Sequence, residues 1–172
     1  MDSYNRIQGH FRIGCGLSYL LCVSIMVRRS RGREVVLQLL YQSDQNPGFA
    51  NDDALQFLKR RLQNLELEGW AGDLYWGTLK HRKEIDQMLT EVAENWSVSR
   101  MAVVDRNILR LAAFELLHQT ETPSKVVIDE AVELAKRYGS VDSSAFVNGI
   151  LDRLALKRPG AEPPPPVADS PL

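Results

Sequence analysis

The stretch 103-VVDRNILRLAAFELL-117 decides the fold class, because it places apolar side chains on almost every side of a helix. A helix that is apolar all round is buried by neighbouring elements. Helical spacing of apolar residues continues in both directions, and between residues 30 and 156 the sequence shows no strand-like alternation and no hairpin dipeptide. The sequence therefore predicts an all-α protein in which this stretch forms the central helix.

Further segments with helical spacing flank the central helix on both sides. The longest, residues 70–95, keeps one continuous apolar face and predicts a single helix of about 39 Å. The pattern breaks at residues 97–99, which divides the chain into two parts. We therefore expect six to seven helices in two packed three-helix bundles. Two further helices are predicted before the long one: the first begins directly behind Arg33 and ends near Asn46, and the second is capped by Asn51–Asp53. Two more follow the central helix: one begins at Ser124 and has Gly139 as its left-handed C-cap residue, and the last runs from Ser143 to Leu154.

A cluster of arginines stands just before the first predicted helix: Arg28, Arg29, Arg31 and Arg33, with no acid between them. The whole chain has 172 residues and a net charge of -1, so the remainder is nearly neutral and the cluster predicts a localised anionic partner. Arginine suits phosphate and carboxylate, because its planar fork donates two parallel hydrogen bonds. A solvated basic segment without a partner is the alternative. The overall charge argues against a general nucleic-acid coat.

The two ends of the chain differ in composition from its body. Residues 13–27 are apolar and uncharged, which fits a signal or anchor segment, an ordered segment, or a start site wrongly placed upstream of Met26. We favour Met26 as the true start, so residues 1–27 are an expected extension outside the fold and residues 28–156 the expected helical domain. Residues 157–172 are rich in proline and are predicted to be disordered.

The sequence contains none of the common catalytic motifs. His10, His81 and His118 are far apart and lack metal-ligand spacing, and there is no Gly-rich phosphate loop or nucleophile elbow. Cys15 and Cys22 both precede the body of the chain and cannot form a disulfide framework for it, which fits a reducing compartment. We therefore expect no enzyme, no cofactor, no metal site and no membrane partner, and a cytoplasmic location.

Two motifs late in the chain are more specific than these patterns. The stretches 125-KVVIDEAVELAK-136 and 146-FVNGILD-152, in this order behind the central helix, resemble the NusB family of transcription antitermination factors. The arginine cluster followed by Leu37-Gln38-x-Leu40-Tyr41 is similar to the family's first helix. The resemblance covers about residues 28–155. It implies an all-helical protein without catalysis that binds boxA RNA with the ribosomal protein NusE and joins an RNA polymerase antitermination complex; some members form homodimers.

The resemblance also implies a set of RNA-binding residues. Arg29 and Arg33 match family arginines one helical turn apart, a spacing that suits successive phosphates. Tyr41 and Phe146 match family aromatics, and single-stranded RNA is read by bases that stack on such rings. Packing in the core is the alternative role for both aromatics. The full expected set is Arg28, Arg29, Arg31, Arg33, Tyr41, Asp142 and Phe146.

Several matched positions carry a second expectation. Asp142 matches a family acid at the start of the last helix, where a carboxylate can accept hydrogen bonds from base amino groups, and an N-cap for that helix is a role compatible with this one. Asp105 and Arg106 match the surface where the family meets NusE. Gly32 departs from the family pattern, and because glycine weakens helices we expect a looser first turn that RNA orders. A helical protein-interaction module without specific RNA binding is the alternative function.

Overall fold

A computed structural model describes residues 15–93, 97–119 and 121–158, which form seven α-helices, one 3-10 helix and no strand. This confirms the all-helical prediction. The expectations for residues 1–14 and 159–172 lie outside the described residues. The helices are α1 Cys15–Gln45, α2 Asn51–Leu62, α3 Leu65–Lys80, α4 Arg82–Val92, α5 Val103–His118, α6 Ser124–Tyr138 and α7 Ser143–Ala155, and the 3-10 helix Val98–Arg100 precedes α5.

The helices pack as two bundles around α5. Helices α1, α2 and α3 contact one another, α4, α6 and α7 surround α5, and α1 and α3 also pack against α5. On α5, Leu109, Leu111 and Leu116 are at most 1% exposed, as the apolar pattern of the central stretch predicts. The two predicted bundles are therefore present, but the second contains four helices.

The first helix is longer than its amphipathic pattern predicts. It runs back through the arginine cluster to Cys15, so the helix does not begin behind Arg33, and residues 15–27 continue it. Gly32 is buried, and a Cβ there would meet Trp70 Cζ3 at 2.7 Å and Leu67 Cδ1 at 3.2 Å. The glycine therefore admits the close approach of α3, which corrects the expectation of a loose first turn. None of the helices in the described ranges is long and apolar enough to cross a membrane.

The predicted continuous helix over residues 70–95 is divided in two. Helix α3 begins earlier, at Leu65, where the Asn64 side chain accepts a hydrogen bond from the Leu67 amide at 2.9 Å and caps the helix. The helix is interrupted at His81, where the backbone has φ of -93° and ψ of 8°, and α4 begins at Arg82. One turn earlier the Thr78 hydroxyl donates to the Leu74 carbonyl at 2.6 Å, a contact that tends to bend helices. The break lets α4 pack on both α5 and α7.

Two predicted helix ends also differ in the structure. The N-cap position of α2 is Ala50, which makes no side-chain cap, so the expected cap from residues 51–53 is absent. Gly139 closes α6 with φ of -91° and is therefore not left-handed. A Cβ at Gly139 would lie 2.5 Å from the Ser143 side chain and 2.8 Å from the Ala135 carbonyl. The tight passage from α6 to α7, and not a positive φ, requires glycine here.

Candidate nucleic-acid interface

The accessible part of the arginine cluster is its beginning. Arg28 is exposed and Arg29 is half-buried, with its Cζ 5.4 Å from the centre of the Trp70 ring, a cation-π contact. Across the described ranges neither arginine forms an ion pair with a carboxylate. Both guanidinium groups therefore keep hydrogen-bond donors for an anion. The cavity beside them has a volume of about 50 Å³ and is lined by Arg28, Arg29, Asn64, Glu66, Leu67 and Trp70.

Arg31 is also accessible, but its charge is shared with Glu34. The two side chains are 2.6 Å apart, and the arginine side chain is 41% exposed. Glu34 also accepts a hydrogen bond from the Tyr138 hydroxyl and lies 3.9 Å from Arg137. Burial raises the pKa of Glu34, but the hydrogen bonds from Tyr138 and Arg31 and the nearby positive charges outweigh it and hold that pKa below its usual value. The carboxylate therefore stays ionised and fixes Tyr138 against α1.

Arg33 lies in the interior, which corrects the expectation that it projects from α1 together with Arg29. Its side chain is 4% exposed, and its Nε and Nη2 donate to the two carboxylate oxygens of Glu115 at 2.8 and 2.5 Å. Glu130 lies 3.6 Å from the same guanidinium group. Contact with a phosphate would require this buried pair to break. The structure gives Arg33 a role in the core, and we leave it out of the proposed RNA surface.

Tyr41 lies on the surface, at the edge of an apolar groove. It is 44% exposed, so part of its side chain is accessible to solvent. The groove has a volume of about 350 Å³ and lies where α1 and α2 meet the start of α5 and the end of α6. It is lined by Leu37, Gln38, Tyr41, Gln42, Phe57, Arg61, Val104 and Tyr138.

The start of α7 lies close to this surface. Tyr138, whose hydroxyl contacts Glu34 on α1, ends α6, and the turn that follows carries Asp142 to the N-cap position of α7. Asp142 is exposed, and its side chain makes no capping hydrogen bond, so its carboxylate remains accessible. Phe146 is half-buried and packs against the core. The structure therefore brings the end of α6 beside α1, and the start of α7 beside the start of α5, where the Ser143 hydroxyl donates to Asp105.

Two residues at this surface escape detection from the sequence. Trp70 stands at the start of a helical pattern and shows no sign of its contact with Arg29, because that contact depends on how α1 and α3 pack. Tyr138 continues the helical spacing of Val127, Ala131, Leu134 and Ala135, which by itself favours a buried position, yet it is 38% exposed. The apolar spacing thus identifies the buried face of α6, but it does not show that this face becomes exposed at the last residue of the helix.

The two residues expected to meet NusE lie at the start of α5 and are mostly buried. Asp105 is 8% exposed, and its Oδ2 accepts a hydrogen bond from the Ser143 hydroxyl at 2.9 Å. Arg106 donates from Nη2 to Asp44 at 3.1 Å. Asp105 Oδ1 and Arg106 Nε are buried and have no hydrogen-bond partner among the described residues. Unsatisfied buried polar atoms are rare, so their occurrence at two successive residues needs an explanation.

Comparison with known proteins shows what this chain is similar to. The family model described as "NusB family" matches residues 30–156. A transcription antitermination protein NusB from Anaeromyxobacter dehalogenans is 48% identical over 136 residues, which cover 78% of this chain and 94% of the relative. The NusB protein of Geobacter sulfurreducens is 45% identical over 139 residues, 78% of this chain and 98% of the relative. These matches place the chain in the class of transcription antitermination proteins. Within that class, the chain belongs to the NusB family.

Solved structures share this fold. T. maritima NusB has a TM-score of 0.69 and 38% sequence identity, with 76% of this chain and 92% of that chain covered. A NusB protein solved with NusE in complex with dsRNA also has a TM-score of 0.69, at 25% identity, with 77% of this chain and 98% of that chain covered. The two-bundle helical arrangement is therefore the fold of the family.

Proposed function

We propose that this protein binds boxA RNA as a pair with NusE, and that the pair supports ribosomal RNA transcription within an RNA polymerase antitermination complex. One solved relative is a NusB protein in complex with NusE and dsRNA, which supports both partners. The observation that carries the proposal is that Arg28 and Arg29, at the beginning of the described basic cluster, form no ion pair with a carboxylate in the described ranges, with Arg28 exposed and Arg29 lying over the Trp70 ring. The role is one of binding and assembly, without catalysis.

The proposed RNA surface separates phosphate contacts from base contacts. Arg28, Arg29 and Arg31 supply guanidinium donors for phosphates, and such contacts position a nucleic acid without reading its sequence. Tyr41 and Phe146 supply rings on which unpaired bases stack. The exposed Asp142 carboxylate accepts hydrogen bonds from base amino groups, which gives the surface a means of sequence selection.

The proposed NusE surface is the start of α5 together with the groove beside it. Asp105 Oδ1 and Arg106 Nε lack partners in the described chain, and a polar group of NusE is proposed to satisfy them. Val104, their neighbour, lines the groove and supplies an apolar contact. A homodimer over the same groove is a competing proposal, and a measured mass of twice 19.5 kDa that falls on addition of NusE would support it.

The first experiment is a fluorescence-anisotropy titration of a labelled boxA RNA and a scrambled RNA of the same length. It uses the protein with and without NusE at two salt concentrations. We expect tighter binding to boxA than to the scrambled RNA, and a further gain when NusE is present. Equal and weak binding to both RNAs in every condition would contradict the proposal and leave a helical protein-interaction module.

The arginines are tested by the double substitution of Arg28 and Arg29 with alanine. We expect weaker binding to both RNAs and a shallower salt dependence, by about 0.7 in slope for each lost phosphate contact on single-stranded RNA. The matched control replaces Lys83 and Arg100, exposed residues of α4 and the 3-10 helix, with alanine, which removes the same charge from elements outside the proposed surface. Equal losses in the two variants would show a general charge effect and overturn the assignment.

A further inference from the structure

Two histidines that are remote in the sequence meet in the fold. The rings of His81, at the turn between α3 and α4, and His118, the last residue of α5, have centroids 4.1 Å apart. Glu84, in the first turn of α4, places a carboxylate oxygen 2.9 Å from His81 Nδ1. One candidate ligand atom from each of these three residues lies within 4.8 Å of the other two. The expectation of no metal site rested on sequence spacing, which does not register contacts between helices.

We propose that His81, Glu84 and His118 form a binding site for a divalent transition metal of the zinc type. Two imidazoles and one carboxylate are a donor set that zinc uses, with water in the fourth position. Zinc–nitrogen distances near 2.0–2.1 Å put neighbouring ligand atoms about 3.3 Å apart, so ligand atoms that lie within 4.8 Å of one another need only small shifts. Glu84 and His118 are exposed and His81 is partly exposed, so side-chain rotation is enough.

The surroundings of the three side chains favour a cation. Helix α5 ends at His118, and the carboxyl end of a helix carries partial negative charge, whereas at His81 the carboxyl end of α3 is offset by the amino end of α4. Among the basic residues that adjoin the three side chains in sequence, Arg82 has its charge paired with Asp44 at 2.9 Å. The Phe114 ring lies 5.8 Å from the His81 ring and 5.1 Å from the His118 ring, and it limits the movement of both.

A metal at this position would join three helix ends. His81 and Glu84 belong to the break between α3 and α4, whereas His118 belongs to the end of the central helix. Because a ligand that binds only the folded state stabilises it by mass action, the bound ion would raise the melting temperature. The site would thus hold the bend of the α3–α4 pair against α5.

The test is titration of the chelator-treated full-length protein with zinc chloride by isothermal calorimetry, with the melting temperature measured in parallel. We expect one zinc ion per chain and at least tenfold weaker binding in the His118→Gln variant, since a protein ligand is lost. Cobalt in place of zinc gives a second readout, because tetrahedral coordination intensifies its visible absorption. Circular dichroism without metal confirms that the variant is folded.

The matched control replaces His10, Cys15 and Cys22 with asparagine and serines, because these are the other histidine and the two thiols of the chain. We expect this variant to bind zinc like the parent. Unchanged zinc affinity in the His118→Gln variant, or loss of binding in the control, would overturn the proposal. Absence of any binding by the parent protein at millimolar zinc would overturn it as well.

Discussion

Arg33 belongs to a basic cluster that the sequence predicts to lie on the surface, yet its side chain is buried. Glu115 sits in the central helix with its side chain 1% exposed, and a lone carboxylate there would be strongly unfavourable. The bidentate ion pair with Arg33 compensates this charge and gives each carboxylate oxygen of Glu115 a hydrogen bond. Arg33 and Glu115 therefore compensate each other's charge in the interior. Neither the arginine cluster nor the apolar pattern of the central helix indicates this pairing.

This role predicts a stability defect when Arg33 is replaced. Arg33→Ala leaves a buried, unpaired carboxylate and should lower the free energy of unfolding by about 3–5 kcal/mol, measured by urea denaturation. Arg33→Lys keeps the charge but loses the planar fork, and we expect an intermediate value. Arg31→Ala is the control, because its pair with Glu34 is accessible and worth at most about 1 kcal/mol. Equal stability of Arg33→Ala and Arg31→Ala would contradict the assignment.

At the scale of the element, α3 and α4 show that helical periodicity predicts the buried face of a segment but not where the helix is interrupted. The apolar face of the pattern is real, since Leu74, Ile85 and Leu89 are fully buried. The turn at His81 is not encoded by proline or glycine at that position, and the backbone there has φ of -93° and ψ of 8°. Helix α4 packs against both α5 and α7, and no local sequence pattern contains these contacts.

Two glycines of α3 give a matched test of its packing. A Cβ at Gly77 would lie 2.6 Å from Phe114 Cε1 and 2.7 Å from Cε2, whereas nothing lies within 4 Å of one at Gly69. We expect Gly77→Ala to destabilise the protein by about 1–3 kcal/mol through overpacking. Gly69→Ala should stabilise it by up to about 1 kcal/mol, because alanine favours helices. Thermal unfolding of the two variants checks this, and a stabilised Gly77→Ala would show that Phe114 moves aside freely.

At the scale of the whole molecule, the two bundles are joined by charge as well as by apolar contact. Asp44, near the end of α1, lies 2.9 Å from Arg82 on α4, 3.1 Å from Arg106 and 3.2 Å from Arg110 on α5. Arg110 in turn pairs with both carboxylate oxygens of Asp86. One network thus fixes the relative positions of α1, α4 and α5.

The network predicts a pH dependence of stability. Burial raises the pKa of Asp44, but Arg106, Arg82, Arg110 and Asn107 outweigh this and hold the pKa below its usual value of 3.8. The unfolded chain therefore takes up the proton first, so the stabilisation is complete above the unfolded pKa and disappears as pH falls through the folded one. Asp44→Asn should cost about 1–3 kcal/mol at pH 7.

The measurement for this prediction is urea denaturation of the parent and the Asp44→Asn variant from pH 7 to pH 3. We expect the difference between them to shrink in the most acidic samples, because the unfolded parent takes up a proton at Asp44 below its ordinary pKa of 3.8. Asp73→Asn, at an exposed position of α3, is the control and should follow the parent. A constant difference down to pH 3 would mean that the charge of Asp44 does not carry the effect.

The sequence by itself determined the fold class, the central helix, the family and most members of the proposed RNA surface. These follow from helical periodicity and from motifs, which are properties of neighbouring residues in the chain. Only the tertiary structure decided that Arg33 is buried, that Trp70 holds Arg29, and that His81 meets His118. Each of these depends on which helix packs against which and at what angle. Burial and proximity between helices arise from the sum of many contacts, so no local pattern specifies them.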